Sequence, residues 1–226
     1  MKMLNLRRRE FAEAALLVLP VLFVAAVWER LPDAVPMHWS FRGDVDRWGA
    51  PWTLLLLPLL SVGMWLLLLL APSLDPRIRR APEAHNRTRF VLRLTRLGGL
   101  LLLTLLSVLI TCVALGAQID VARIALCALL VLCVAVGNYL PSVKSNYFVG
   151  IRTPWTLDDA STWQATHRLG GRILFFGGLM LIAVESLLCV ALLTITFSIY
   201  IGAFAIWCLA YSFLHNRRSQ SVRDNC

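Results

Sequence analysis

The sequence has few charged residues for its length. Only 15% of its 226 residues are Asp, Glu, Lys or Arg and 58% are hydrophobic, whereas soluble globular domains have about 25% charged and about 45–50% apolar residues. The hydrophobic residues form charge-free runs that are too long for the core of a water-soluble protein. A soluble enzyme, a secreted disulfide scaffold and a disordered chain are therefore excluded.

The sequence also lacks the patterns that mark metal sites, disulfide frameworks and hydrolases. None of the six cysteines forms a C-x-x-C pair, and cysteines inside apolar runs behave as small hydrophobic residues. The motifs H-E-x-x-H and G-x-S-x-G and paired intramembrane aspartates are missing as well. We therefore predict no enzyme activity, no metal and no cofactor. The weakest alternative is an intramembrane hydrolase using His38, Asp44, Asp46 or His167.

Six apolar segments are long enough to cross a bilayer, which takes about 20 residues. The first four are Phe11–Trp28 (with Glu13 in its opening turn), Trp52–Ala71, Leu97–Gln118 and Ile124–Leu140. From residue 173 to residue 216 the only charged residue is Glu185, and the length allows two helices that we predict to turn near Thr194–Ser198. The predicted fold class is all-α, a polytopic integral membrane protein with six transmembrane helices.

The basic residues determine the predicted orientation. With a cytoplasmic N-terminus, 18 of the 22 Lys and Arg residues lie in inside segments. Arg30, Arg42, Arg47 and Arg123 then remain outside. The positive-inside rule therefore predicts that both termini are cytoplasmic. The net charge of +9 reflects this topology, and no nucleic-acid partner is expected.

The predicted spans divide the chain into three regions. Residues 1–71 form a helical hairpin around an outer aromatic loop at 31–51. Residues 72–96 form a basic cytoplasmic loop, whose arginines are expected to touch anionic lipid head groups. Residues 97–226 contain four helices and a second cytoplasmic loop at 141–172.

The outer loop combines turn residues with aromatic side chains. Met37–Phe41 is predicted to be extended, and Arg42-Gly43-Asp44 to form a turn. His38 with Asp44 and Asp46 suggests a metal site, but one loop without a second group of ligands is a weak signal. We instead expect the carboxylates to pair with neighbouring arginines or cap a turn, and the imidazole to hydrogen-bond locally. The loop is interpreted as a recognition surface with the candidate residues Pro36, His38, Trp39, Gly43, Asp44, Asp46 and Trp48.

The inner loop at 141–172 alternates polar and aromatic residues instead of forming a solvated charge run. Thr156 is predicted to cap a helix, with Asp159 three residues on as in a capping box, and Gly170–Gly171 to end that helix. Helical spacing places Trp163 and His167 on one face, together with Ala160. For His167 a hydrogen-bonded structural role is favoured over an acid–base role.

At this loop the chain resembles the SdpI family of bacterial membrane immunity proteins. The segment from Pro36 to Trp48 resembles the uncharacterised domain that commonly precedes it, although Ser40 stands where Asn is more usual. The inner-loop residues that carry the resemblance, and that are the candidates for partner binding, are Asn138, Lys144, Asn146, Gly150, Arg152, Pro154, Trp155, Thr156, Trp163 and His167.

The resemblance implies a protein of the bacterial cytoplasmic membrane that protects a cell from a membrane-active peptide toxin. The toxin would bind at the outer loop, and the inner loop would contact a cytoplasmic transcriptional repressor. Membrane lipids are expected as further partners.

Polar residues within the predicted spans mark helix contacts and one alternative function. Thr104, Ser107, Thr111 and Gln118 lie on one helical stripe, which is typical of a helix–helix contact. Glu185 is predicted in mid-membrane, where a charge costs roughly 2.5–3.5 kcal/mol or more. As a proton carrier it would instead favour a small proton-coupled transporter or exporter, and the sequence leaves that alternative open.

Overall fold

The computed structural model describes the backbone of residues 2–224 and the side chains of residues 12–221. Within that part, six helices are long and apolar enough to cross a membrane. They are α1 (Lys2–Val27), α2 (Leu56–Leu74), α4 (Asn86–Ala114), α5 (Val121–Tyr139), α7 (Ala160–Val184) and α8 (Val190–Asp224). The predicted all-α, six-span class is confirmed. The basic side chains of Lys2 and Arg7–Arg9, and Cys226, lie outside the described residues.

The chain divides into two compact units. One comprises the residues up to Leu67 together with Arg96–Ala128, and the other comprises Leu68–Thr95 with the residues from Leu129 onward. These units do not follow the predicted divisions after residues 71 and 96, because α2, α4 and α5 each contribute residues to both.

The basic segment at 72–96 is mostly helical rather than a loop. Helix α2 continues to Leu74, a short helix α3 (Pro76–Arg80) follows, and α4 begins at Asn86, well before the predicted start at Leu97. Arginine is a good helix former, so a basic sequence does not by itself end a helix. The arginines between residues 87 and 96 therefore extend the third span.

The last two spans turn earlier than predicted. The connection is a 3-10 turn at Glu185–Leu187, and α8 begins at Val190. The predicted turn at Thr194–Ser198 is wrong, because these hydroxyls donate to carbonyl oxygens one turn back, as Thr194 does to Val190 at 2.8 Å. Such back-bonding lets hydroxyl residues stay within a helix. Glu185, which the sequence predicts in mid-membrane, begins this connecting turn.

The helix starts of the inner loop also differ from those predicted. Thr153, not Thr156, is the N-cap of α6 (Pro154–Asp158), and Thr156 completes the capping box from inside the helix. Pro154 explains this, because proline favours the first helical position and extended geometry in the residue before it. Asp159 then caps α7, accepting from the Thr162 amide at 2.8 Å.

The pair Gly170–Gly171 does not stop a helix. Both residues lie inside α7, where the absence of a side chain allows close packing. A Cβ added at Gly171 would lie 2.7 Å from the Gly137 carbonyl oxygen of α5 and 2.8 Å from Pro141. The sequence signal for helix termination is therefore a signal for helix–helix contact.

We expect Gly171→Ala to lower the free energy of unfolding by about 1–3 kcal/mol, the cost of overpacking a close contact. The matched control is Gly202→Ala in α8, where an added Cβ meets nothing within 4 Å. That control should be neutral or stabilising by up to about 1 kcal/mol, because alanine is the better helix former. Titration of the purified protein with SDS measures both, and equal effects would contradict the assigned contact.

The first unit contains the outer hairpin. Strands β1 (Val35–Trp39) and β2 (Val45–Gly49) pair antiparallel with irregular register. Gly43 adopts φ of 91° in the connection, a conformation that glycine reaches without steric cost. The predicted turn and the extended segment through Trp39 are confirmed. Val35 packs with Val24 and Leu54 in a small buried cluster.

The predicted polar stripe contacts a neighbouring helix in the first unit. Thr104 is buried and donates to the Leu16 carbonyl oxygen of α1 at 2.8 Å. Thr111 donates to Ser107 within its own helix at 2.8 Å, and both residues are buried. Gln118 does not belong to this contact, because α4 ends at Ala114 and Gln118 is exposed.

A buried ion pair also holds the first unit together. Glu13 of α1 accepts from Arg96 of α4 at 2.7 Å and from the Trp65 indole of α2 at 2.8 Å. The side chains of Glu13 and Arg96 are only 8% and 12% exposed. The sequence places Glu13 only in an opening turn, and no local pattern identifies its partners.

Candidate functional site

The inner loop folds around one buried asparagine. Asn146 is fully buried, and its amide nitrogen donates to the carbonyl oxygens of Lys144 and Val149, each at 2.9 Å. Its amide oxygen accepts from the backbone N–H groups of Phe148 at 2.9 Å and Val149 at 2.8 Å. All four hydrogen bonds fit the two donors and two lone pairs of a carboxamide. Asn146 therefore fixes the path of residues 144–149.

Asp75 fastens this loop to the segment before α4. One carboxylate oxygen caps α3 by accepting from Arg77 N at 2.8 Å, and the other accepts from Tyr147 N at 2.6 Å. The Arg77 guanidinium donates to Ser145 Oγ and, at 2.9 Å, to the Leu157 carbonyl oxygen, and it lies 4.6 Å from the centre of the Tyr147 ring. The basic segment is thus part of the site.

His85 and Thr88 add two more contacts to the loop. The two ring nitrogens of His85 face the carbonyl oxygens of Ala81 at 2.9 Å and Ser145 at 3.3 Å. Both partners are hydrogen-bond acceptors. Thr88 of α4 is buried and accepts from Lys144 N at 3.0 Å.

His167 is a structural histidine. Its Nε2 accepts from Ile151 N at 3.0 Å, so the ring is uncharged and its Nδ1 donates to the Trp163 carbonyl oxygen at 2.8 Å. The ring stacks on Trp163 with centroids 4.0 Å apart. Both nitrogens are engaged and the side chain is fully buried. The predicted hydrogen-bonded role is confirmed, and no nitrogen is left for acid–base work.

Gly150 makes room for this stack. Its φ is 115°, and an added Cβ would overlap His167 Nε2. Trp163 is buried and donates from Nε1 to the Val143 carbonyl oxygen at 2.7 Å. The predicted shared face of Trp163 and His167 is confirmed, whereas Ala160 is exposed and lies off it.

The capping box of α6 connects the loop to α8. The Thr153 hydroxyl donates to Ser212 Oγ at 2.9 Å, and Thr156 Oγ1 donates to the Ile151 carbonyl oxygen at 2.8 Å. Trp155 packs edge-on against Phe213, with ring centroids 5.1 Å apart. The inner loop is therefore hydrogen-bonded to other segments both at residues 144–147 and at residue 153.

The candidate residues of the inner loop fall into two groups. A buried group supports the loop and cannot touch a partner directly: Asn146, Thr156, Trp163 and His167. An exposed group remains accessible: Asn138, Lys144, Arg152 and Pro154, together with Tyr147, which the sequence did not single out. Gly150 and Trp155 are half-buried.

The outer hairpin carries an accessible aromatic surface. Phe41, Trp48 and Trp52 are 54%, 57% and 58% exposed. His38 Nδ1 lies 2.6 Å from Asp46 Oδ1. Local hydrogen bonding of His38 is thus confirmed, with Asp46 paired to the histidine rather than to an arginine. Among the residues whose side chains are described, no group of three His, Cys, Asp or Glu could hold a metal.

The other outer-loop candidates differ in exposure. Pro36 is buried, Trp39 and Gly43 are half-buried, and Asp44 is exposed. A crevice of about 660 Å³ opens in the same unit and is lined by Val21, Val24, Ala25, Ala26, Trp28, Glu29, Arg30 and Leu55. Its lining is mostly apolar and includes the charged residues Glu29 and Arg30.

Sequence reasoning missed Asp75, Thr88 and Ser212. Asp75 followed by Pro76 is a recognisable helix start, which would have found α3. The bonds of Thr88 and Ser212 to residues far along the chain have no local signal.

Comparison with known proteins gives a family match for the part of the chain that contains most of this network. Residues 142–213 match the SdpI/YfhL protein family. Residues 15–62, which contain the hairpin, match a domain of unknown function, DUF1648. The chain is 21% identical over 155 residues to the Immunity protein SdpI of Bacillus subtilis (strain 168), covering 69% of this chain and 70% of that protein.

The resemblance that the sequence indicates is therefore confirmed, and the chain is a multi-pass membrane protein of the cell membrane. No solved structure matches it.

Proposed function

We propose that this chain is a membrane immunity protein that protects its cell from a membrane-active peptide toxin. The observation that carries the proposal is that the SdpI-like region coincides with the buried network around Asn146 and His167. When the buried polar groups of a network all have hydrogen-bond partners, the network specifies one loop conformation. A flexible linker would not need such a network. The similarity to an immunity protein supports the direction of the proposal.

The toxin is proposed to bind the outer hairpin and the adjoining crevice. Exposed aromatic side chains are typical anchors at peptide interfaces and at the membrane surface. The crevice beside Trp28 has the apolar lining that a membrane-active peptide requires. Glu29 and Arg30 in its lining offer charge partners for peptide termini or side chains.

The inner loop is proposed to contact a cytoplasmic transcriptional repressor through its exposed side chains only. Lys144, Arg152 and the 44%-exposed ring of Tyr147 form the accessible part. Arg152 is held to the loop by a 2.5 Å bond to the Tyr147 carbonyl oxygen. A repressor would be held and released only if toxin binding favoured one of two states of the protein.

No enzymatic step is proposed, and both ring nitrogens of His167 are engaged in hydrogen bonds. The proton-coupled transporter is not proposed. Glu185, its candidate proton carrier, begins the turn between α7 and α8, and this position does not favour that role.

We expect Trp48→Ala combined with Phe41→Ala to lower protection about tenfold or more, because anchor residues typically contribute 2 kcal/mol or more to binding. Survival is measured in a sensitive strain that expresses the protein and is challenged with a panel of secreted membrane-active peptides. The control is Leu59→Ala, which removes an even more exposed apolar side chain from α2. Unchanged survival of cells lacking the gene would contradict the proposed function itself.

A further inference from the structure

A groove outside the described network lies between α7 and α8. It has a volume of about 360 Å³, and its polar lining consists of Ser161, Gln164, Arg168, Arg172, Tyr211 and His215. No Asp or Glu lines it.

Two uncompensated arginines give the groove a positive potential. Arg168 and Arg172 are one helical turn apart, so their side chains project along the same face of α7. Among the side chains at 12–221, neither guanidinium has an acidic partner within 4 Å. Guanidinium groups bind phosphate oxygens through paired hydrogen bonds.

Hydrogen bonds through Thr162 connect His215 to Asp159 and use only one of the two ring nitrogens of His215. Thr162 Oγ1 donates to Asp159 Oδ2 at 2.7 Å, so the bond of 3.1 Å to His215 Nδ1 is one in which the histidine donates. Nε2 of the uncharged His215 ring then carries a lone pair and can only accept a hydrogen bond. The Tyr211 ring lies 5.9 Å from the His215 ring, and within the described side chains its hydroxyl has no hydrogen-bond partner.

The groove lies where apolar and charged sequence meet. Arg172 is the last basic residue before the charge-free run Ile173–Val184, and on α8 His215 follows the apolar pair Phe213–Leu214 and precedes Arg217. Basic side chains at such a boundary lie at the level of lipid head groups. Ala165 and Leu169 add apolar lining beside the charges.

We propose that this groove is a binding site for the phosphate of an anionic phospholipid head group. Arg168 and Arg172 hold the phosphate oxygens, and the Tyr211 hydroxyl donates a hydrogen bond to them from the opposite helix. The site ties α7 to α8 at the end where the inner loop is attached. It is separate from the proposed toxin and repressor surfaces.

The test titrates phosphatidylglycerol into the purified full chain in neutral detergent and counts retained lipids by native mass spectrometry. Saturable retention of phosphatidylglycerol, but not of phosphatidylcholine, is expected. Arg168→Gln with Arg172→Gln should weaken it about 30-fold, because two basic contacts are lost. The control, Arg79→Gln with Arg80→Gln, removes the same charge from exposed positions on α3 and should bind like the wild type.

A second variant does not depend on removing charge. Tyr211→Phe deletes one oxygen and keeps the ring, and it should weaken retention about threefold. Wild-type retention by both groove variants would overturn the proposal. Displacement of the lipid by equimolar inorganic phosphate, or by an acidic peptide such as oligoglutamate, would overturn it as well, because the site would then serve a soluble ligand.

Discussion

Asn146→Ala is expected to lower the free energy of unfolding by about 3 kcal/mol or more. The variant removes four hydrogen bonds, and net contributions of about 1 kcal/mol each add to the cost of leaving buried backbone groups without partners. The loop at 144–149 should open, because nothing else satisfies the Phe148 amide. Trypsin, which cuts after Lys144 and Arg152, should then cleave the variant much faster than the wild type.

The matched control is Asn138→Ala, which changes an exposed asparagine at the end of α5. That variant should keep wild-type stability and wild-type cleavage. If both asparagine variants were cleaved at the same rate, the Asn146 amide would not determine the conformation of the loop.

Glu13→Ala is expected to cost about 3–5 kcal/mol, because it leaves the Arg96 guanidinium buried without its partner. Arg96→Met should cost a similar amount by leaving the carboxylate unpaired. The double variant should cost clearly less than the two single costs added together, since no unpaired charge remains. SDS titration of the four proteins gives the coupling free energy.

The control for that cycle is Glu29→Ala, an exposed glutamate at the end of the same span. It should have a wild-type midpoint. Additive costs of Glu13→Ala and Arg96→Met would show that the two side chains do not form the pair.

The class of fold follows from the sequence because hydrophobic length is a strong signal. Hydrophobic length locates each of the six spans to within a few turns of its helix, and the residue types around Gly43 identify the hairpin turn. These features depend on neighbours in sequence, which local patterns record.

The errors arose where one residue type serves two purposes. Hydroxyls such as Thr194 favour turns when solvated but bond to their own helix in an apolar setting. A glycine can end a helix or allow two helices to pack closely. Gly171 does the second, because it packs against Gly137 of a neighbouring helix, and the local sequence does not show that contact.

The site was predicted as a motif but not as a network. The residues around His167 were recognised by resemblance, yet whether each is buried or exposed depends on contacts such as those of Asp75 and Thr88. These partners are distant in sequence. The division into supporting and accessible residues therefore required the structure.

The central claim is that the Pro36–Trp48 hairpin and the loop around Asn146 meet opposite sides of the membrane. In a chain without native cysteines, Asp44→Cys and Lys144→Cys place one thiol in each segment, and intact cells are treated with a membrane-impermeant maleimide. We expect the thiol at position 44 to react directly and the thiol at position 144 to react only after permeabilisation. Equal labelling of both in intact cells would contradict the account.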